Sequence, residues 1–144
     1  MNGEKHHLLL IDDDQSTLRT LQLLLREHFA LVEVAAHPTQ IPGLLARRTY
    51  DAVLLDMNFQ PGARSGNEGL ACLRTIRQID PEVGIVLMTA YGEIELAVQG
   101  MKNGAIDFLQ KPWDNDKLLA SLQSAIQVST SRRRAKGQQT EKPK

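Results

Sequence analysis

The stretch Leu8–Asp14, LLLIDDD, indicates the fold of this chain. Its first four residues, Leu8 to Ile11, form an apolar run that is typical of a strand covered on both faces in a parallel sheet. The run stops at three aspartates, and Asp14 is a suitable N-cap for a helix. Leucines at helical spacing follow, and they predict a helix that ends near His28. The stretch therefore predicts a buried strand with acid at its carboxyl end, followed by an amphipathic helix.

The pattern of a short apolar run before a helical segment recurs along the chain. The further strand candidates are Leu31–Ala35, Ala52–Leu55, Gly84–Met88 and Ile106–Leu109, and the last three lead to Asp56, Thr89 and Lys111. Helical patterns lie between and after these runs, at about 41–48, 70–76, 94–101 and 114–128. Two of the predicted strands therefore end in carboxylates.

Five short strands that alternate with five helices predict an α/β protein with a parallel sheet and helices on both faces. The flavodoxin-like (βα)5 doubly wound sheet, with strand order 2-1-3-4-5, is the common solution for five strands. In that order the first and third strands are neighbours at the switch point, where ligands bind beyond the carboxyl ends. We therefore expect convergence of the polar strand-end residues Asp12, Asp13, Asp56, Thr89 and Lys111.

The expected cluster of carboxylates predicts a site for a hard divalent cation. Crowded carboxylates repel each other, and a cation with oxygen ligands allows all of them to stay ionised. Magnesium fits this role, and manganese could substitute for it. A carboxylate can also be the nucleophile in phosphoryl transfer, while a metal ion and a lysine neutralise the charge of the transferred group.

Four pieces of the sequence together resemble the ordered signature of bacterial response-regulator receiver domains. The pieces are Leu8–Asp14, Val53–Asp56, Met88-Thr89-Ala90 and Gln110-Lys111-Pro112, and the resemblance spans Leu8–Ile126. Each piece alone is common, but their order on successive strand ends is specific. The resemblance implies a signalling switch that is phosphorylated on an aspartate.

The resemblance also implies roles for individual residues. Asp56 would be the phosphoacceptor, and Asp12, Asp13, Asp56 and the backbone carbonyl of Asn58 would be the protein ligands of Mg²⁺. Thr89 would move its hydroxyl toward the phosphoryl group, and Lys111 would pair with that group. Phe108 would be the aromatic switch residue that turns inward with Thr89, and the Lys111–Pro112 peptide bond would be cis.

The resemblance further implies partners. A sensor histidine kinase or a phosphotransfer protein would supply the phosphoryl group. The surface of the fourth helix, fifth strand and fifth helix would change, form a homodimer or contact an output domain. The stretch Ala97–Leu109 is most similar to receivers of the nitrogen-regulator class, which precede an ATPase module acting with an alternative sigma factor and a DNA-binding module. One departure from the family is the loop Asn58–Gly69, which is several residues longer than the usual turn after the acceptor.

A phosphohydrolase is the main alternative. Asp12-Asp13-Asp14 also resembles the Asp-x-Asp start of haloacid-dehalogenase-type phosphohydrolases, in which Asp12 would be the nucleophile. That interpretation leaves Asp56 without a role and provides no cap to shape a substrate pocket.

Length and charge predict one receiver domain over residues 1–128 and a different character for residues 129–144. Residues 132–144 hold six basic residues and one acidic residue, which leaves the remainder at a net charge of −5. We expect 129–144 to be a disordered basic tail or the start of a linker. No apolar run is long enough to span a membrane, and no secretory signal precedes the first strand, so we expect a cytoplasmic location. The single Cys72 excludes an internal disulfide.

Overall fold

The computed structural model describes residues 5–57 and 67–141, which form a five-stranded parallel sheet with helices on both faces. The sheet order is β2-β1-β3-β4-β5, as predicted, and all four strand pairings are parallel. The strands are β1 (His7–Ile11), β2 (Leu31–Ala35), β3 (Ala52–Asp56), β4 (Gly84–Thr89) and β5 (Asp107–Gln110). The helices are α1 (Gln15–Leu25), α2 (Ile41–Arg47), α3 (Asn67–Ile79), α4 (Ile94–Lys102) and α5 (Asn115–Glu141).

Two apolar layers hold the sheet, one on each face, because side chains alternate along each strand. Along β1, Leu9 and Ile11 point into the layer under α2, α3 and α4, whereas Leu8 and Leu10 point into the layer under α1 and α5. Every residue of β3 and β4 is buried. This arrangement explains why the central strands are continuous apolar runs rather than alternating ones.

Helix α1 begins where the sequence predicts. Asp14 is its N-cap, and the Asp14 carboxylate accepts hydrogen bonds from the Ser16 N–H and the Thr17 hydroxyl at 3.1 and 2.7 Å. The helix ends at Leu25, earlier than the predicted end near His28. Asp14 therefore has a capping role and is exposed, which separates it from Asp12 and Asp13.

Of the two predictions for residues 129–144, a disordered tail disagrees with the helix that the structure describes up to Glu141, whereas the start of a linker stays a prediction. Helix α5 continues without a break to Glu141. Ser129 is fully buried, and Arg133 forms hydrogen bonds to Asp80 and Tyr50, which lie in the segments before β4 and β3, so the helix is held beyond the predicted end. Such tertiary contacts are not visible in a polar, locally featureless sequence. None of the described helices has the length and apolar character required to cross a membrane.

Replacing Gly84 by alanine should destabilise the domain by about 1–3 kcal/mol, because overpacking forces backbone shifts. Gly84 opens β4, and a Cβ atom there would lie 2.3 Å from the Ala125 carbonyl oxygen on α5. Chemical denaturation would measure the loss. Gly43→Ala in α2 is the matched control, since a Cβ there meets nothing within 4 Å. That variant should be neutral or more stable by about 0.5–1 kcal/mol. Equal stability of both variants would contradict the close approach of α5 to β4.

Candidate functional site

Three aspartates meet at the carboxyl edge of the sheet. Asp12 directly follows β1, Asp56 ends β3, and the register places their neighbours Ile11 and Leu55 side by side. Carboxylate oxygens of Asp12, Asp13 and Asp56 all lie within 4.8 Å of one another. Asp12 and Asp56 are each only 3% exposed, whereas Asp13 is half-buried. The parallel topology thus brings two buried carboxylates and a third, more accessible one to one place.

Lys111 places its ammonium group against both buried carboxylates. Its Nζ lies 3.2 Å from Asp56 Oδ2 and 3.7 Å from Asp12 Oδ2. The backbone holds this residue in position, since the Lys111 N–H donates to the Thr89 carbonyl at 2.8 Å. The Lys111–Pro112 peptide bond is cis, as the resemblance implied. One cation therefore serves two acids, which leaves the cluster with excess negative charge.

Thr89 is the last residue of β4 and is fully buried. It follows Met88, which lies opposite Asp56 in the pairing of β3 with β4. Its hydroxyl donates to the Leu109 carbonyl at 3.5 Å, which is long for a hydroxyl hydrogen bond. Phe108 lies on β5 and is half-buried against the apolar layer under α4. Thr89 thus lies on the strand next to β3, and Phe108 lies one strand further out. The Thr89 hydroxyl is only weakly held.

Two aspartates of the cluster have pKa values above the usual range of carboxylic acids. Burial raises the pKa of Asp12 to about 7, and the neighbouring Asp56 adds to the increase, while the Asp14 N–H and Lys111 partly offset it. Burial and Asp56 also raise the pKa of Asp13. Like charges in a poorly solvated site disfavour ionisation, which is the physical cause of both changes.

The donor set fits a hard divalent cation. Asp12 Oδ2 is buried and, among the described residues, has no hydrogen-bond partner, so that a lone pair remains available beside Asp13 and Asp56. Carboxylate oxygens are the ligands that Mg²⁺ and Mn²⁺ prefer. Asn58, whose carbonyl the sequence analysis also assigned to the metal, lies outside the described residues, as does most of the long loop after Asp56.

We expect the affinity for Mg²⁺ to rise with pH up to about 7 and then to level off. A metal ion must displace the proton from Asp12, whose pKa is about 7. Below that value affinity should fall by roughly tenfold per pH unit, because each unit leaves a tenfold smaller ionised fraction. Calorimetric titrations between pH 5 and 8 would measure this dependence. A constant affinity across the range would contradict the raised pKa of Asp12.

A cavity next to the site was missed by the sequence analysis. It measures about 540 Å³ and lies beside Lys111, lined in part by the aromatic residues Tyr91, Phe108 and Trp113. Tyr91 lies two residues after Thr89, and Trp113 lies two after Lys111. An aromatic residue two positions after Thr89 and another two positions after Lys111 were the available signal.

Comparison with known proteins agrees with this geometry. Residues 8–123 match the family of response regulator receiver domains. The transcriptional regulatory protein ZraR of Klebsiella oxytoca is 34% identical over 126 residues, which cover 88% of this chain and 27% of ZraR. A putative NtrX-like response regulator of Rickettsia bellii is 32% identical over 88% of this chain and 26% of its own length. The chain thus spans about a quarter of the length of these curated relatives.

A solved structure gives the same result. The N-terminal signal receiver domain of a two-component system response regulator from Bacteroides fragilis is 41% identical, with a TM-score of 0.77, and the match covers 85% of this chain and 97% of that one. These matches give no support to the phosphohydrolase alternative. The flavodoxin-like fold, the acidic cluster and the family match over residues 8–123 agree. The chain belongs to the response regulator receiver domain family and is a phosphoacceptor switch of two-component signalling.

Proposed function

We propose that Asp56 accepts a phosphoryl group from a sensor histidine kinase or a phosphotransfer protein. The observation that carries the proposal is the contact of Lys111 Nζ with Asp56 at 3.2 Å inside a cluster of three aspartates. An Asp56 oxygen attacks phosphorus, the bond from phosphorus to the donor nitrogen breaks, and an acyl phosphate forms. The donor kinase takes its own phosphoryl group from ATP, so the transfer to Asp56 would take place in the cytoplasm.

Asp12, Asp13 and Asp56 would hold Mg²⁺, with the Asn58 carbonyl as a further ligand, and Mn²⁺ could take its place. When bound, the ion neutralises charge on the phosphoryl oxygens. Lys111, which pairs with Asp56, would then pair with the transferred group. Asp12 and Asp13 keep the edge acidic, so that a phosphoryl group is stabilised only together with a cation. The same groups would promote both phosphorylation of Asp56 and its later hydrolysis.

Thr89 and Phe108 would convert phosphorylation into a change of surface. The Thr89 hydroxyl, held to Leu109 only at 3.5 Å, would turn to the phosphoryl group, which adds roughly −1.5 to −2 charge units. Phe108, which lines the neighbouring cavity, would then move inward. A group that binds the phosphorylated form better in one conformation shifts the population toward that conformation.

The surface that changes would be the one formed by α4, β5 and α5. Ile94, Val98 and Met101 occupy one side of α4 and are 49%, 43% and 38% exposed. Tyr91, three residues before the helix, is 84% exposed. Partly exposed apolar side chains in such a group are a typical contact surface. We propose that it mediates homodimerisation or contact with an output domain. In a longer protein of the nitrogen-regulator class that the sequence resembles, the output would be an ATPase and a DNA-binding module that regulate transcription.

Incubation with acetyl phosphate and Mg²⁺, followed by intact-mass spectrometry, tests the proposal. The wild type should gain one phosphoryl group, and Asp56→Asn should gain none. Asp14→Asn is the control, since Asp14 is an exposed helix cap of the same chemistry and asparagine caps equally well. Its adduct should match that of the wild type. An adduct that persists in Asp56→Asn would refute the assignment.

A further inference from the structure

The continuation of α5 beyond Val128 has no apolar face of its own. After the buried Ser129, residues 130–141 contain only Ala135 as an apolar side chain, and Ala135 is exposed. A helix that is polar all around does not gain stability by burying a stripe against the domain. Specific polar contacts must therefore hold this segment, which we call the arm (residues 129–141).

Arg133 supplies such contacts. Its Nη1 and Nη2 atoms donate to the two Asp80 carboxylate oxygens at 3.0 and 2.9 Å, in a bidentate pair. Nη2 also donates to the Tyr50 carbonyl at 2.8 Å. Planar bidentate pairs of this kind are both stronger and more directional than single charged hydrogen bonds. The Arg133 and Asp80 side chains are 29% and 14% exposed, so solvent screens the pair less than an ordinary surface pair.

Glu82 extends this set of contacts. Its carboxylate lies 3.7 Å from Lys136 Nζ and 3.9 Å from Arg133 Nη1. Two cations on successive turns of the arm therefore face two acids on the segment between α3 and β4. The weaker, more exposed Lys136 pair would contribute little alone.

The partners of Arg133 lie at the amino ends of the two central strands. Tyr50 comes two residues before β3, and Asp80 and Glu82 precede β4. The same two strands end in Asp56 and Thr89 at the opposite edge. Further back along α5, the backbone at Ala125 packs directly on Gly84, the first residue of β4. Helix α5 is thus held at two successive places to the strands that carry the site.

We propose that Arg133 is a tether that makes the arm a rigid part of the domain, fixed in orientation to the amino ends of β3 and β4. The arm then moves with those strands as one body. This proposal does not depend on phosphorylation of Asp56, because every contact that carries it lies at the opposite end of the sheet.

Hydrogen exchange of the backbone amides in residues 130–137 tests the tether in the full chain. Arg133→Gln and Asp80→Asn should each speed exchange in the arm by roughly tenfold or more, because charged hydrogen bonds of this kind hold it. In the wild type the Glu82 N–H donates a hydrogen bond to the Asp80 carboxylate at 3.2 Å. Asparagine at position 80 keeps an oxygen that can accept this bond, so the local turn is preserved. Amides of β1 and β3 should be unchanged, which separates loss of the tether from unfolding.

Arg134→Gln is the matched control, since Arg134 is exposed and adjacent on the same helix. It should leave exchange in the arm within about twofold of the wild type. The double variant Arg133→Gln/Asp80→Asn should exchange no faster than Arg133→Gln alone, because the loss of Asp80 removes nothing further from the arm once Arg133 is absent. Equal effects of Arg133→Gln and Arg134→Gln, additive effects in the double variant, or equal acceleration in arm and core strands would each overturn the proposal.

Discussion

Replacing Lys111 with glutamine should slow phosphorylation of Asp56 by about 10²–10³-fold, the usual cost of removing one preorganised group that stabilises developing charge. Lys111 Nζ contacts Asp56 at 3.2 Å and Asp12 at 3.7 Å, so the substitution removes a positive charge from both. The phosphoryl group would then approach carboxylates whose negative charge is no longer neutralised by Lys111. Intact-mass time courses with acetyl phosphate at saturating Mg²⁺ would give the rates.

Lys117→Gln is the control for the charge of this region. Lys117 lines the same cavity as Lys111 but is exposed on the first turn of α5. Its loss should change the rate by less than about threefold, because exposed charges are strongly screened. Lys111→Arg should keep part of the rate, since it keeps the charge but not the shape of the ammonium. If Lys111→Gln and Lys117→Gln were equally fast, Lys111 would have no role in the transfer.

Asp12→Asn should weaken Mg²⁺ binding by roughly 100-fold, since even the loss of a group behind a metal ligand costs 10- to 100-fold. The amide keeps an oxygen for the Asp14 N–H, which Asp12 Oδ1 accepts at 2.9 Å, so the backbone at the site should be preserved. It lacks the negative charge through which Asp12 would bind Mg²⁺. The variant should also lose the steep pH dependence that the raised pKa of Asp12 gives to the wild type. Calorimetric titration at pH 6 and pH 8 would measure both effects.

Asp14→Asn is the comparison for that experiment. It removes the carboxylate of an exposed helix cap two positions after Asp12. The affinity for Mg²⁺ should stay within about threefold of the wild type, because solvent screens the charge of Asp14. Comparable weakening in the two variants would show that the total charge of the edge, rather than the cluster of Asp12, Asp13 and Asp56, determines metal binding.

The sequence was sufficient to predict the sheet because its information is local. Each central strand is a continuous apolar run, and the runs at 52–55 and 84–88 correspond to β3 and β4 almost residue for residue. The order 2-1-3-4-5 then followed from general rules for parallel sheets. The meeting of Asp12, Asp13 and Asp56 is a consequence of that order, since parallel strands end at the same edge.

Features that depend on long-range contacts could not be predicted. Beyond Val128, α5 contacts the rest of the domain through Arg133, whose partners Asp80 and Tyr50 are 53 and 83 positions away. A polar segment with three consecutive arginines gives no local sign of such partners. Likewise, only the folded site shows that Lys111 pairs with two carboxylates and that burial raises the pKa of Asp12.

The central claim is that Asp56 itself carries the phosphoryl group, and the most direct measurement is to locate that group chemically. Borohydride reduces an acyl phosphate to an alcohol, and peptide mass spectrometry then identifies the residue that has changed. After treatment with acetyl phosphate and Mg²⁺, we expect reduction at Asp56 alone. Reduction at Asp12 instead would contradict it and would favour a phosphohydrolase-type nucleophile at the end of β1.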